Sequence, residues 1–224
     1  MKAVQNVNTR ELLVHELAHH FPYAVFSVAL SFIGAALLSY FSFGATVQVI
    51  EVGADMLFHA FHFLHIVFAS TGAVLTFFRY SKAVFKGVIL GALNAAFFCI
   101  LSDIFMPYLV GRALGVTMEL HICFMHELHN IIPFLLVGVF NGWVLSKHHT
   151  GKKSFYALWS HFTHILVSSL ASMIYIISHG MHNWMPFMGV LFFLLVIAVV
   201  VPCTLSDVVV PVYAARLGDC GEER

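Results

Sequence analysis

Charge is scarce in this sequence. Lysine, arginine, aspartate and glutamate make up 10% of its 224 residues, against about 25% in ordinary soluble domains. Basic and acidic residues number 11 each, so a formal net charge of zero leaves no electrostatic footprint for nucleic acid. Cysteine is scarce as well: there are 4, and three of them lie near or inside apolar segments, which is not a secreted disulfide framework. No nucleotide-binding P-loop pattern occurs, which leaves an ion gradient or a partner as the driving force for any pumping. The N-terminal stretch lacks the short apolar core and small-residue cleavage site of a signal peptide, so the first apolar segment is expected to be retained.

What is present in abundance is apolar sequence. Hydrophobic residues reach 60% and the mean hydropathy is +0.91. Runs near or above the ~20 residues that span a bilayer recur along the chain. The expected fold is an all-α polytopic membrane protein with six transmembrane helices, at about 12–42, 56–79, 84–110, 118–146, 154–178 and 184–212. Asn8 or Thr9 and Thr117 are candidate caps of the first and fourth helices, with Glu11 and Glu119 in their first turns. Pro107 and Pro211, late in the third and sixth runs, are expected to bend or break them. Trp143, Trp159 and Trp184 fit the membrane interface.

The basic residues orient these spans. Lys2, Arg10, Arg79, Lys82, Lys86, Lys147, Lys152, Lys153, Arg216 and Arg224 all fall on one side if both termini are cytoplasmic, leaving only Arg112 opposite. That is the positive-inside bias. It predicts an integral, multi-pass protein, in the plasma (inner) membrane if the source is prokaryotic, with the lipid bilayer as its first partner. A homodimer is compatible with so small a membrane protein.

Three motifs occur twice, in the same order. "HELAHHFP" (15–22) returns as "HELHNIIP" (126–133), "HFLHIVFAS" (62–70) as "HFTHILVSS" (161–169), and "CILSDIFMP" (99–107) as "CTLSDVVVP" (203–211), at offsets of 111, 99 and 104 residues. The sequence therefore divides into residues 1–114 and 115–224, each a repeat of three helices. An odd number of spans per repeat makes the copies cross the membrane in opposite senses, the inverted arrangement of many secondary transporters. Two composite clusters follow. The outer one joins His62, His65 and Asp103 to His126, Glu127 and His129; the inner one joins His161, His164 and Asp207 to His15, Glu16 and His19.

The residue types carry the chemistry. Glu16, Asp103, Glu127 and Asp207 are the carboxylates of the repeated motifs, and all four fall within the spans; an ionisable group at membrane depth costs about 3 kcal/mol on insertion scales, so it marks a partner or a path. Imidazole with carboxylate suits Zn, Fe, Mn, Co or Ni. Cys99 and Cys203 sit one turn before the aspartates, as soft ligands or as packing; Ser102 and Ser206 are candidate hydrogen-bonding auxiliaries, and His59 and His121 candidate outer-shell auxiliaries. His20, His148, His149, His179 and His182 read as mouth or loop residues.

These observations predict a membrane transporter for a divalent transition-metal cation, coupled to protons because such ligands must deprotonate to bind. The metal is substrate or ligand, and no organic cofactor is evident. A different class is an intramembrane metalloenzyme: "HELAH" resembles the zinc-binding helix of zinc metalloproteases, including the site-2 family of membrane proteases, which implies His15 and His19 as ligands and Glu16 as base. That resemblance covers five residues, and the distal Asp-Gly motif of the site-2 family has no counterpart. The "HxxH" pairs are also similar to those of di-iron membrane oxygenases, whose "HxxHH" boxes are missing. A proton or small-ion channel, or a metal sensor, could use the same side chains.

Overall fold

A computed structural model describes residues 9–147 and 153–219. Lys2, Asn8, His148, His149, Lys152 and Arg224 lie outside the described residues, as do the side chains of Arg10, His126, Lys153 and Trp159. Among the described residues the protein is all helical. The helices are α1 (Thr9–Phe41), α2 (Val47–Tyr80), α3 (Val84–Ile100), α4 (Met106–Ala113), α5 (Cys123–His126), α6 (Leu128–Lys147), α7 (Lys153–Ser178), α8 (Met188–Thr204) and α9 (Val210–Asp219). Single π turns at Leu101–Phe105 and Leu205–Val209 join α3 to α4 and α8 to α9.

Six helical stretches are long and apolar enough to cross a membrane: Glu11–Phe41, Val47–Tyr80, Val84–Ala113, Leu128–Lys147, His161–Ser178 and Met185–Leu217. Large apolar side chains on their outer faces are bare, among them Phe41, Phe85, Phe193 and Leu136. Helices are the economical solution there, because lipid offers backbone amides no other partner.

The fourth span is shorter than its sequence implies. The expected helix from residue 118 is replaced by an irregular stretch, the single turn α5, and a break at Glu127 before α6. Gly115, at φ 84°, ends α4 in the left-handed conformation that glycine adopts without strain, and the Val116 N–H returns to the Gly111 carbonyl at 3.0 Å. Met118 is then buried against the bare face of Gly111, and the His121 N–H donates to the Tyr175 hydroxyl at 3.3 Å. These contacts hold the segment extended across the end of the bundle. Trp184, immediately before the last span, is buried, with its ring 5.5 Å from that of Phe32.

α2 is the hub, packed by α3, α6 and α7. Gly87 and Gly91 of α3 lie against Phe77, Phe78 and Val74, while Gly138 and Gly142 of α6 lie against Val67, Ser70, Thr71 and Val74. Small residues four apart let helix backbones approach closely inside a membrane. The Thr71 hydroxyl uses that closeness to donate to the Gly138 carbonyl at 3.0 Å. Clamped on both sides, α2 presents His62 and His65 to α7 and to the two π turns.

Candidate metal centre

The repeated "LSDxxxP" pattern positions each aspartate by the same local device. Each π turn closes with an i→i−5 bond, from the Met106 N–H to the Leu101 carbonyl and from the Val210 N–H to the Leu205 carbonyl. In that register the next bond would run from residue 107 to Ser102, and from residue 211 to Ser206. Both donors are prolines, which have no N–H. The orphaned carbonyls are taken by neighbouring helices instead: Ser172 of α7 donates to Ser102 at 3.0 Å, and Asn94 of α3 donates to Ser206 at 2.6 Å. π bulges recur at functional sites because they re-aim side chains. Here they aim Asp103 and Asp207, both buried, into the middle of the bundle.

Two histidines meet each carboxylate. Asp103 Oδ2 lies 2.9 Å from His62 Nδ1 and 2.6 Å from His65 Nδ1. Asp207 Oδ2 lies 2.6 Å from His164 Nδ1 and 3.3 Å from His161 Nδ1. Ser102 and Ser168 donate to Asp103 Oδ1 at 2.7 and 2.8 Å. The two halves then touch, with His65 Nε2 and His164 Nε2 only 2.6 Å apart. Cys203 Sγ stands 3.9 Å from His65 Nε2, and the His65, His164 and Cys203 ligand atoms all lie within 4.8 Å of one another in a buried group.

This contact constrains the chemistry. An ionised carboxylate only accepts, so each Nδ1 that meets one carries a proton. In neutral rings that leaves a lone pair on both facing Nε2 atoms. Two lone pairs at 2.6 Å need a positive charge between or beside them. The two ways to supply it are a proton on one ring or a cation bridging the rings. Carboxylates behind both Nδ1 atoms are the outer-shell arrangement that orients metal-binding histidines and raises their basicity. A His, His, Cys donor set selects a borderline-to-soft transition metal rather than Mg or Ca.

The remaining expected residues are distributed differently. The two clusters expected on opposite sides meet at the centre, through His65 and His164. His15 and His19 are exposed on α1, and His129 is exposed on α6. Glu16 lies 3.6 Å from His15 Nδ1 and 3.8 Å from His20 Nδ1, at the α1 end of the inner half. It is His20, not His19, that turns inward: buried, it packs its ring edge-on to His161 at 5.0 Å. One residue is 100° of helix rotation, so adjacent histidines cannot share a face. Cys99 is buried beside the centre, one turn before Asp103, and the Ser206 hydroxyl accepts from Asn94 at 3.1 Å. Glu127 occupies the break before α6, 3.3 Å from His59 Nε2, with His121 nearby.

Residues not singled out from the sequence include Asn94, Ser168, Ser172 and Cys123. Ser168 and Ser172 carry a readable signal, since they follow His164 by four and eight residues on one helical face. Asn94 is an uncharged amide in an apolar run, which pattern alone does not separate from packing. Outside the spans, burial pushes the Cys123 thiol up to about 12 and lowers the His179 imidazole below its ordinary value. Comparison of the chain with protein-family models, with curated proteins and with solved structures finds no match.

Proposed function

We propose that this protein carries a divalent transition-metal cation across a membrane, in exchange for protons, through the paired histidines at its centre. The observation that carries the reading is the 2.6 Å contact between His65 Nε2 and His164 Nε2, backed on both sides by buried aspartates and flanked by Cys203. The cation enters by replacing the positive charge that otherwise resides on the rings, so each ion bound releases protons. Seating a tetrahedral ion with bonds of about 2.0–2.1 Å requires the two nitrogens to part to roughly 3.3 Å. The contact is thus a closed state that the ion pries apart, and movement of α2 against α7 couples binding to opening.

The inverted-repeat organisation, 1–114 against 115–224, belongs to this reading. It is supported by the matching π turns, each followed by proline and each served by a polar side chain of another helix. Both termini are assigned to the cytoplasm, which makes the α4–α6 connection external. His20, His161 and Glu16 line the inner approach. In the hydrolase reading of "HELAH", His15 and His19 would converge on one ion; both are exposed, which favours transport over that enzyme.

A second reading, proton conduction, is favoured by the same contact if a proton occupies it permanently. Flux through proteoliposomes separates the two. Zn, Fe(II), Mn, Co and Ni are offered in turn, with a pH dye inside, to wild type and to a His65→Ala, His164→Ala variant. Metal uptake with opposite proton movement, lost in the variant, is the expected result. Proton movement that ignores every metal would replace transport by conduction.

A further inference from the structure

A second group of ligands stands apart from the centre, at the end of the bundle where α2 begins and α7 ends. A cavity of about 440 Å³ there is lined by Asp55, His59, Glu119, His121, Glu127 and His179. The ligand atoms of His59, His121 and Cys123 lie within 4.8 Å of one another. Solvent reaches the group, since the Asp55 and Glu127 side chains are 49% and 29% exposed. His59 precedes His65 by six residues on α2, roughly 9 Å along the helix axis.

The geometry points to a second, solvent-accessible site for a divalent transition-metal cation, held by His59, His121, Cys123 and Glu127. His59 Nδ1 donates to the Asp55 carbonyl at 2.9 Å, which turns its Nε2 lone pair toward Glu127 Oε1 at 3.3 Å. Two acceptors face each other there, as they do at the centre, and a cation between them satisfies both. Asn130 donates to the other Glu127 oxygen at 3.4 Å, steadying the carboxylate at the break that separates α5 from α6. The cavity lining carries three carboxylates and neither lysine nor arginine, so it draws cations of any kind. Imidazole and thiol donors then retain transition metals over Mg and Ca.

The break in the fourth span has a use in this light. A continuous helix through residues 118–128 would keep Cys123 and Glu127 on one face but turn His121 about 200° away from Cys123. The extended stretch and single turn instead bring His121, Cys123 and Glu127 together over α2. The role of the site as a first station for transported metal rests on the transport reading; its capacity to bind does not.

Cobalt(II) is the probe, because thiolate ligation gives a charge-transfer band that reports each cysteine. The detergent-purified full chain is titrated with Co(II) beside three variants: His59→Ala with His121→Ala, Cys123→Ser alone, and His65→Ala with His164→Ala. The expected result is two ions per wild-type chain. One is lost in the first variant, and its thiolate band is lost in the milder Cys123→Ser; the other is lost in the third. A wild type that binds one ion, insensitive to Cys123→Ser and to the first variant, overturns the mouth site and leaves the central reading standing. One ion lost with Cys123→Ser but kept in the third variant establishes the mouth site and removes the centre. No cobalt bound at all overturns both.

Discussion

Asp103 and Asp207 occupy the same position of matching π turns, yet their surroundings differ. Asp103 engages both oxygens: Oδ2 meets His62 and His65, and Oδ1 receives Ser102 and Ser168. Asp207 meets His164 and His161 through Oδ2, while its buried Oδ1 has no hydrogen-bond partner among the described residues. Beside that oxygen lies Gly72, whose missing side chain leaves the carboxylate its room. One half of the centre is saturated and the other has acceptor capacity in reserve. A saturated carboxylate fixes a ring; an under-satisfied one can take a proton or a cation and give it back. Under the proposed transport mechanism, Asp103 would act as the clamp and Asp207 as the exchanging carboxylate.

The largest effect should come from breaking the saturated half. Asp103→Asn places an amide where four donors converge, and each buried donor left unpaired costs about 1–3 kcal/mol. Thermal unfolding in detergent should fall by several degrees, and metal affinity by about 100-fold, the upper end for loss of an outer-shell partner. Asp207→Asn should cost about tenfold in affinity with little change in unfolding temperature. Equal losses in both variants would erase the distinction between clamp and exchanger.

The proline device can be broken and repaired. Asn94→Ala leaves the Ser206 carbonyl without its 2.6 Å donor, a loss of about 1–3 kcal/mol for a buried acceptor. Pro211→Ala returns a backbone N–H in the i→i−5 register. The double variant should therefore be more stable than the sum of the single effects, with a coupling of about 1 kcal/mol. Strict additivity in denaturation would mean that the proline does not set which group satisfies the carbonyl.

Gly72→Ala probes the reserve around Asp207 more gently. Its Cβ would lie 3.0–3.3 Å from the carboxylate atoms, close enough to push them. Helix propensity gains about 1 kcal/mol and crowding costs about 1–3 kcal/mol, so stability should fall by no more than about 2 kcal/mol. Metal affinity, measured by competition with a chelating dye, should drop about fivefold, the equivalent of about 1 kcal/mol. Unchanged affinity would place the working geometry elsewhere.

The span number and the groups at the centre were legible for a physical reason. Apolar length reports lipid contact, and a motif written twice reports a constraint met twice. "HxxH" puts His62 beside His65 on one face, and "LSDxxxP" contains the proline that frees a carbonyl and the aspartate that the π turn aims. The register shift itself was not legible, because nothing in the letters distinguishes an i→i−5 turn from an i→i−4 turn with a proline kink. The break at Glu127 was hidden for another reason. It depends on Gly111, Met118 and Tyr175, contacts made across the fold rather than along the chain.

The first motif was ambiguous by a single residue, and that ambiguity supplies the finest test of the comparison between halves. "HELAHH" offers His19 and His20, 100° apart on α1. His19 is exposed, and its ring lies 5.7 Å from those of Tyr23 and His20. His20 packs on His161, which in turn reaches Asp207, the exchanging carboxylate. His19→Ala, like His15→Ala and His129→Ala, should alter metal flux by no more than about twofold, the scale of a surface substitution worth about 0.5 kcal/mol. His20→Ala should slow release on the Asp207 side while leaving equilibrium affinity at His65 and His164 nearly unchanged, because it touches neither ring. Flux that fell with His19→Ala and not with His20→Ala would turn α1 the other way and detach it from the exchanging half.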